Sequence, residues 1–250
     1  MRELVSEAEV VAASGDDDLV VWAAQGMRPG VRAWAYADAV AVASPRASRR
    51  DRLVVRGGAA HVVPLVRHAL AEAGPSYRPL GDAALIEQVV AAAPELAVAG
   101  HFSWMAAEKL APPRHEAADQ DGMVVSWLAD DAAPEITGLL AEANPGSYAV
   151  PGLPYVRRWA GVRDGSGALL AVAADAWSAP TVGLLAGVAT AVRARGRGLG
   201  ERVCRFVASA LLAEHGRAAL MVDDWNLAAL AVYERLGFAR RRVAAAWLPG

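Results

Sequence analysis

The 250-residue chain contains one cysteine (Cys204), one lysine (Lys109) and only three phenylalanines. A lone cysteine excludes an internal disulfide framework and a cysteine-based zinc site. An excess of one charge is also lacking: Lys+Arg 25 face Asp+Glu 27, a formal net charge of -2 with a pI of about 6.2. A sequence-independent nucleic-acid binder needs surplus cations to set against phosphate, so that class is excluded. Met1 to Val11 places Glu3, Glu7 and Glu9 where a secretory signal carries basic residues and then an apolar core. No export signal is therefore expected, and the default location is the cytoplasm. The longest nearly uncharged stretch, Ala176 to Val192, falls short of the ~20 residues of a membrane span and is interrupted by Pro180 and several glycines. It reads as buried strand, and no membrane partner is expected.

What is abundant is alanine, 58 residues, and arginine, 24 residues. Hydrophobic residues make up 55% of the chain, enough to bury the core of one large domain or two small ones. Prolines and charges concentrate in Ala106 to Gly122, the composition of a linker, which divides the chain into 1–116 and 117–250. Before it, Val/Trp/Ala runs at Leu19 to Ala24, Arg32 to Ser44 and Arg52 to Arg56 precede a helical pattern from Ala60 to Ala73, stopped by Gly74 and Pro75. A strand near Tyr77 to Leu80, a helix from Asp82 to Ala93 and a strand from Leu96 to Met105 follow.

After the linker the same order returns with one helical region added near its beginning. Val124 to Leu128 reads as strand and Ala132 to Ala143 as helix. Arg158 to Arg163 and Ala168 to Trp177 form a hairpin across Asp164 to Gly167, and Thr181 to Val192 is a further strand. A helix from Leu199 to His215, a strand from Arg217 to Val222, a helix from Leu227 to Leu236 and a strand from Phe238 to Leu248 complete the chain. The halves overlay with Trp22 near Trp159, Asp38 near Asp175, Gly74 near Gly216 and Trp104 near Trp247, which suggests a diverged internal duplication.

The chemistry concentrates between Val188 and Phe238. Arg195-Gly196-Arg197-Gly198-Leu199-Gly200 joins a strand to a helix. Glycines there let backbone approach a bound group without a Cβ in the way, and the free N–H groups and dipole of the helix's first turn face an anion. A pyrophosphate would fit this loop, and so would the blander reading of an Arg/Gly turn that binds nothing. A dinucleotide fingerprint would need glycine at Glu201, and a Walker loop would need Gly-Lys-Ser/Thr; both fail. Downstream, Asn226 opens a helix and Tyr233 lies two turns on along the same face. By themselves these residues fit an N-cap and a core aromatic equally well.

Together they resemble the GCN5-related N-acetyltransferase (GNAT) family over about residues 123 to 250. Arg195, Gly198 and Gly200 match its Arg/Gln-x-x-Gly-x-Gly/Ala pyrophosphate loop, and Gly187-Val188-Ala189-Thr190 its strand leading into that loop. Asn226 matches its coenzyme-contacting Asn, and Tyr233 to Phe238 its Tyr-x-x-x-Gly-Phe. Two departures stand out: Val192 replaces a frequent proline, and Thr181 to Thr190 lacks the acidic residue that serves some members as general base. The resemblance implies a mixed α/β (α+β) sheet, a tandem GNAT-like acyl-CoA N-acyltransferase fold whose first half is degenerate, reading Arg56-Gly57-Gly58-Ala59-Ala60-His61 at the loop position.

The same resemblance implies acetyl-CoA as co-substrate, held by Val188, Ala189, Thr190, Arg195, Gly196, Arg197, Gly198, Leu199, Gly200, Asn226 and Tyr233, with no metal. A primary amine would attack the thioester directly, a backbone N–H near Val188 would stabilise the oxyanion, and Tyr233 would protonate the departing thiolate. Asp223, Glu142 or an ordered water are the candidate bases. The rival reading is an acyl-CoA-binding regulator without turnover, and the molecule is a monomer or a homodimer.

Other residues carry weaker signals. His61, His68, His101, His115 and His215 lack metal-ligand spacing, and Cys204 reads as a packing residue. Asp16 to Asp18 and Arg49-Arg50 read as solvated loop charge; Arg240 to Arg242 read the same way or as partners of the coenzyme's 3'-phosphate. Each half has room for one strand after its last helix, where a full GNAT fold has two. Exposed apolar sheet edges invite aggregation, so the expectation is that Leu96 to Met105 and Phe238 to Leu248 cross and pair with the opposite half, with Trp104 and Trp247 in related positions.

Overall fold

The chain opens on strand β1 (Arg2–Leu4) and two short helices, α1 (Glu7–Ser14) and α2 (Asp18–Ala24). Ser6 caps α1 by accepting from the Glu9 N–H, and Glu9 reaches back to the Val5 N–H at 2.7 Å, a variant of the reciprocal capping box. Asp17 caps α2 through the N–H groups of Leu19 and Val20. Strands β2 (Arg32–Tyr36), β3 (Ala39–Ala47) and β4 (Arg50–Arg56) form a meander, followed by α3 (Ala59–Ala73), β5 (Arg78–Asp82), α4 (Ala83–Ala92) and β6 (Ala97–Ala107). The second half runs β7 (Val125–Trp127), α5 (Ala133–Ala143), β8 (Val156–Arg163), β9 (Leu169–Ala176), β10 (Gly183–Thr190), α6 (Leu199–His215), β11 (Ala218–Val222), α7 (Leu227–Leu236) and β12 (Ala239–Trp247). This computed structural model describes residues 1–113 and 123–249. His115 and the expected boundary at 116/117 lie outside the described residues.

All twelve strands join one sheet, in the order β1-β2-β3-β4-β5-β12-β6-β11-β10-β9-β8-β7. The two terminal strands are exchanged: β6 of the first half pairs with β11 of the second, and β12 of the second pairs with β5 of the first. In the middle, β6 and β12 pair with each other antiparallel from Ala239↔Ala106 to Trp247↔Ala97. The order is thus palindromic about the β12–β6 seam, the arrangement expected from the shortage of strands. Nine of the eleven neighbouring strand pairs are antiparallel, and two, β4–β5 and β10–β11, are parallel.

The halves also share core. The Trp22 ring lies 5.5 Å from that of Trp104, and its Nε1 donates to the Trp177 carbonyl of the other half at 2.9 Å. Gln25 donates to the same carbonyl at 3.0 Å. Arg241 of β12 reaches Asp17, Asp18 and Asp82 of the first half, while Arg240 and Arg242 meet Asp224. The Arg240 to Arg242 run is therefore engaged with carboxylates rather than simply solvated.

Three expectations need correction. Leu19 to Ala24 is a helix buried on every side, and a helix apolar all round carries no 3.6-residue stripe to read. The helical region before the first hairpin thus exists in both halves, two helices in the first and one in the second. Arg32 to Ser44 is two strands, folded back at Ala37, which has φ 51°. Of the four repeat matches, Gly74/Gly216 and Trp104/Trp247 fall on equivalent elements, whereas Trp22 is helical and Trp159 is on a strand. Trp104 is buried but Trp247 is 40% exposed, facing Arg78.

Candidate active site

The site begins with a break in pairing. Strands β10 and β11 are parallel neighbours over three rows only, Gly183–Leu185 against Ala218–Leu220. From Ala186 to Thr190, β10 continues without β11 beside it, leaving a cleft toward α6. A bulge between Ala186 and Ala189 on β10 marks the departure, with Gly187 at φ 63° inside it. A Cβ on Gly187 would lie 2.5 Å from the Trp159 ring and 3.1 Å from the Ala149 Cβ. Gly187→Ala therefore combines a left-handed backbone with overpacking against a buried indole. Chemical denaturation should show a loss of about 2 kcal/mol or more.

The α5–β8 loop holds the bulge from outside. Asn144 donates from Nδ2 to the Val188 carbonyl at 3.1 Å, and Glu142 accepts from the Val192 N–H at 3.3 Å. Arg195 donates to the carbonyls of Thr190 and Ala143 at 3.4 and 3.3 Å. Its guanidinium thus braces strand, loop and α5, a role beyond the diffuse positive charge that the sequence suggests. Asn144 carries no sequence signal, because an Asn after a helix most often reads as a stop.

At the end of the cleft, Gly196 and Gly198 have φ 77° and 75°. Gly198 is the N-cap of α6 and offers no side chain to its first turn, so the N–H groups there face outward without a side-chain cap. A Cβ at Gly196 or Gly198 would meet no protein atom within 4 Å, whereas one on Gly200 would come 3.1 Å from the Thr190 hydroxyl. Leu199 is buried beneath the loop, and Arg197 lies 4.0 Å from the Met123 sulfur. The result is an open cradle of backbone donors at a helix N-terminus, with Val188, Ala189 and Thr190 leading into it.

Helix α7 is fixed beside this cradle by the Arg235–Glu201 ion pair at 2.9 Å, which also neutralises the carboxylate in the first turn of α6. Asn226 caps α7, accepting from the Ala229 N–H at 3.2 Å. The capping role is therefore real, and it uses Oδ1. Tyr233 is 6% exposed, packs edge-on to Phe238 with ring centroids 6.2 Å apart, and lies near Cys204, four residues beyond Gly200 on α6. The structure therefore places Tyr233 against α6, about one turn beyond Gly200. Asp223 is exposed at the end of β11, and Glu142 sits on the other wall.

Burial pushes the Tyr233 phenol well above its ordinary value and the Cys204 thiol up to about 12. Both stay neutral in the folded protein, while an unfolded chain ionises them at their ordinary values. Their contribution to stability is thus complete below about pH 8.5 and is lost as pH rises toward 12, with a slope of up to about 1.4 kcal/mol per pH unit for each ionising group. The urea midpoint should fall between pH 8 and pH 11, and Cys204→Ala should flatten that fall.

The equivalent place in the first half is filled from within. Asp38 accepts from the Gly58 N–H at 2.9 Å and meets His61 Nδ1 at 2.5 Å, so a carboxylate sits on the first turn of α3. Those two contacts, His61 first, hold its carboxyl below the usual range. A Cβ on Gly57 would strike Ala39 at 2.6 Å, which shows how tightly the loop is pressed onto the β2–β3 turn. Asp175, Glu214 and His215 form a cluster with ligand atoms within 4.8 Å of one another, but Arg157 and Arg158 already pair with both carboxylates. No helix among the described residues is long and apolar enough to cross a membrane.

Comparison with known proteins agrees with the fold. The FR47-like protein family matches residues 160–248, from β8 to the end of β12. No curated protein matches the sequence. Among solved structures, a GCN5-related N-acetyltransferase from Kribbella flavida is 21% identical, covers 91% of this chain and 94% of its own, and superposes with a TM-score of 0.59. One from Sphaerobacter thermophilus is 16% identical over 83% of this chain and 79% of its own, with a TM-score of 0.52. A GCN5-related N-acetyltransferase-like protein from Streptococcus suis is 10% identical over 97% and 98%, with a TM-score of 0.57. The chain thus shares the fold of these GCN5-related N-acetyltransferase structures, and the FR47-like match falls on residues 160–248.

Proposed function

We propose that the protein is an acyl-CoA-dependent N-acyltransferase, moving an acetyl group from acetyl-CoA to a primary amine, with residues 117–250 as the catalytic part and 1–116 as a degenerate half that completes the sheet. The observation that carries this reading is the cleft between β10 and β11 opening directly onto an uncapped helix N-terminus built from Arg195 to Gly200. Backbone N–H groups there suit a pyrophosphate, and the unpaired edge of β10 suits the amide-bearing arm that joins the coenzyme's nucleotide to its thiol. The residues present fit the coenzyme. Gly196, Gly198 and Gly200 keep the cradle open, Val188 to Thr190 line the arm, and Asn226 keeps its amide nitrogen available while Oδ1 caps α7.

Acetyl-CoA supplies a thioester carbonyl open to direct attack. Around it the chain's residues have separate tasks. Backbone beside Val188 stabilises the negative charge that develops on the carbonyl oxygen, and Asn144 fixes the Val188 peptide by holding its carbonyl. Tyr233, protonated at all ordinary pH values, donates its phenolic proton to the leaving sulfur. The cleft strand carries no acid, so the amine's proton leaves through Glu142, Asp223 or water.

The test is an assay of coenzyme thiol release from acetyl-CoA against a panel of primary amines. Amine-dependent release supports the proposal. Binding of acetyl-CoA with no release for any amine would favour the rival, an acyl-CoA-binding regulator.

A further inference from the structure

A pocket of about 220 Å³ lies where the halves meet, lined by Arg49 and Arg50 of the β3–β4 hairpin and by Pro145, Gly146, Ser147 and Tyr148 of the α5–β8 loop. Its position follows from the loop. Asn144 bonds the Val188 carbonyl and Ala149 packs at Gly187, so both ends of Pro145–Tyr148 rest on the bulge of β10. With successive Cα atoms 3.8 Å apart, Tyr148 is one residue and Ser147 two residues from the group that contacts the bulge.

The pocket's charge is uncompensated. Among the described residues Arg49 and Arg50 have no carboxylate partner; Arg50 only faces the Tyr148 ring at 5.8 Å. Two residues further along β4, on the same face as Arg50, Arg52 is 5% exposed and its Nε donates to the Ala47 carbonyl at 3.1 Å. It too lacks a carboxylate among the described residues. Burial first, then the neighbouring Arg50 and Arg78, push its pKa down to about 10 against the opposing effect of Tyr148. The nearby acid, Asp51, points to the other face, where it accepts from the Arg46 N–H and the Ser76 hydroxyl. Two cations thus line the pocket and a third, buried, lies behind Arg50 on the same strand face, with no carboxylate among the described residues paired to any of them.

We propose that this pocket binds an oxyanion, carboxylate or phosphate, carried by the acceptor amine, with Arg49 and Arg50 as its partners. This rests on the acyl-transfer reading above and adds the acceptor's class: a small amine with an acidic group. It also gives the first half a direct part in substrate selection, since the arginines come from its hairpin.

Calorimetry at low ionic strength tests the proposal on the full chain with succinate, succinamide and inorganic phosphate, alongside a separate acetyl-CoA titration. Succinate or phosphate should bind, with the tighter of the two naming the anion, and succinamide should not. Arg49→Ala/Arg50→Ala, and independently Arg50→Glu, should weaken the anion at least about tenfold, since both charges lie in the binding group; circular dichroism confirms that the variants are folded. Equal binding of succinamide, unchanged affinity in the variants, or no binding of either anion would overturn the proposal. Acetyl-CoA binding without anion binding defeats the pocket and leaves the acyl-transfer reading intact. Anion binding without acetyl-CoA binding defeats that reading and with it the assignment of the anion to an acceptor.

Discussion

Replacing Tyr233 by phenylalanine should lower turnover by roughly 10² or more while leaving acetyl-CoA affinity nearly unchanged. The ring is buried against Phe238 and beside α6, so the Phe variant keeps its packing and loses one hydroxyl. Proton donation to a leaving group is worth about 10² to 10⁴ in rate. The raised phenol pKa means that Tyr233 retains its proton throughout the working range, so its ionisation should add no falling limb to the rate below pH 10. Thiol-release kinetics of the parent and the Tyr233→Phe protein decide the point. Equal rates would assign the proton to another donor.

Gly198→Val should weaken acetyl-CoA at least about tenfold, or about 1.4 kcal/mol, without unfolding the protein. The residue sits at φ 75°, where a β-branched side chain is a severe outlier, and a non-glycine residue there costs about 1–2 kcal/mol. The loop must distort, turning the first N–H groups of α6 away from the ligand, or hold its shape and place a branched side chain over them. No protein atom lies within 4 Å of the added Cβ, so the damage falls on ligand binding rather than on packing. Arg197→Ala in the same loop should have the smaller effect expected of one exposed charge. Calorimetry on the two variants separates backbone from charge as the source of affinity.

The elements that carry the candidate site were largely legible in the sequence because their signals are local. A glycine loop at a strand-to-helix junction, an Asn at a helix start and a Tyr two turns later each need only a few neighbouring residues to be read, and α6 begins and ends at Leu199 and His215 as the pattern indicates. The exchange of β6 and β12 was legible for another reason. Counting strands against a sheet that must not leave apolar edges open gives the pairing without any contact information. What escaped depends on tertiary context. The brace from Asn144 to Val188 joins residues 44 positions apart, and the Asp38 carboxylate on α3 comes from a turn whose sequence, Ala37-Asp38, gives no sign of its partner. Arg49 and Arg50 read as solvated charge because the loop they face, Pro145 to Tyr148, lies in the other half. Helix α1 was signalled, by Ser6 and Glu9 at capping-box spacing, and its short length hid it.

The stoichiometry of acetyl-CoA binding tests the account most directly. The second half offers an open cradle at Gly198, whereas the equivalent turn of the first half already holds the Asp38 carboxylate. Titration of the whole chain with acetyl-CoA should therefore give one site per chain, weakened at least about tenfold in Gly198→Val and retained in Asp38→Ala. No binding, or binding that survives Gly198→Val undiminished, would contradict it.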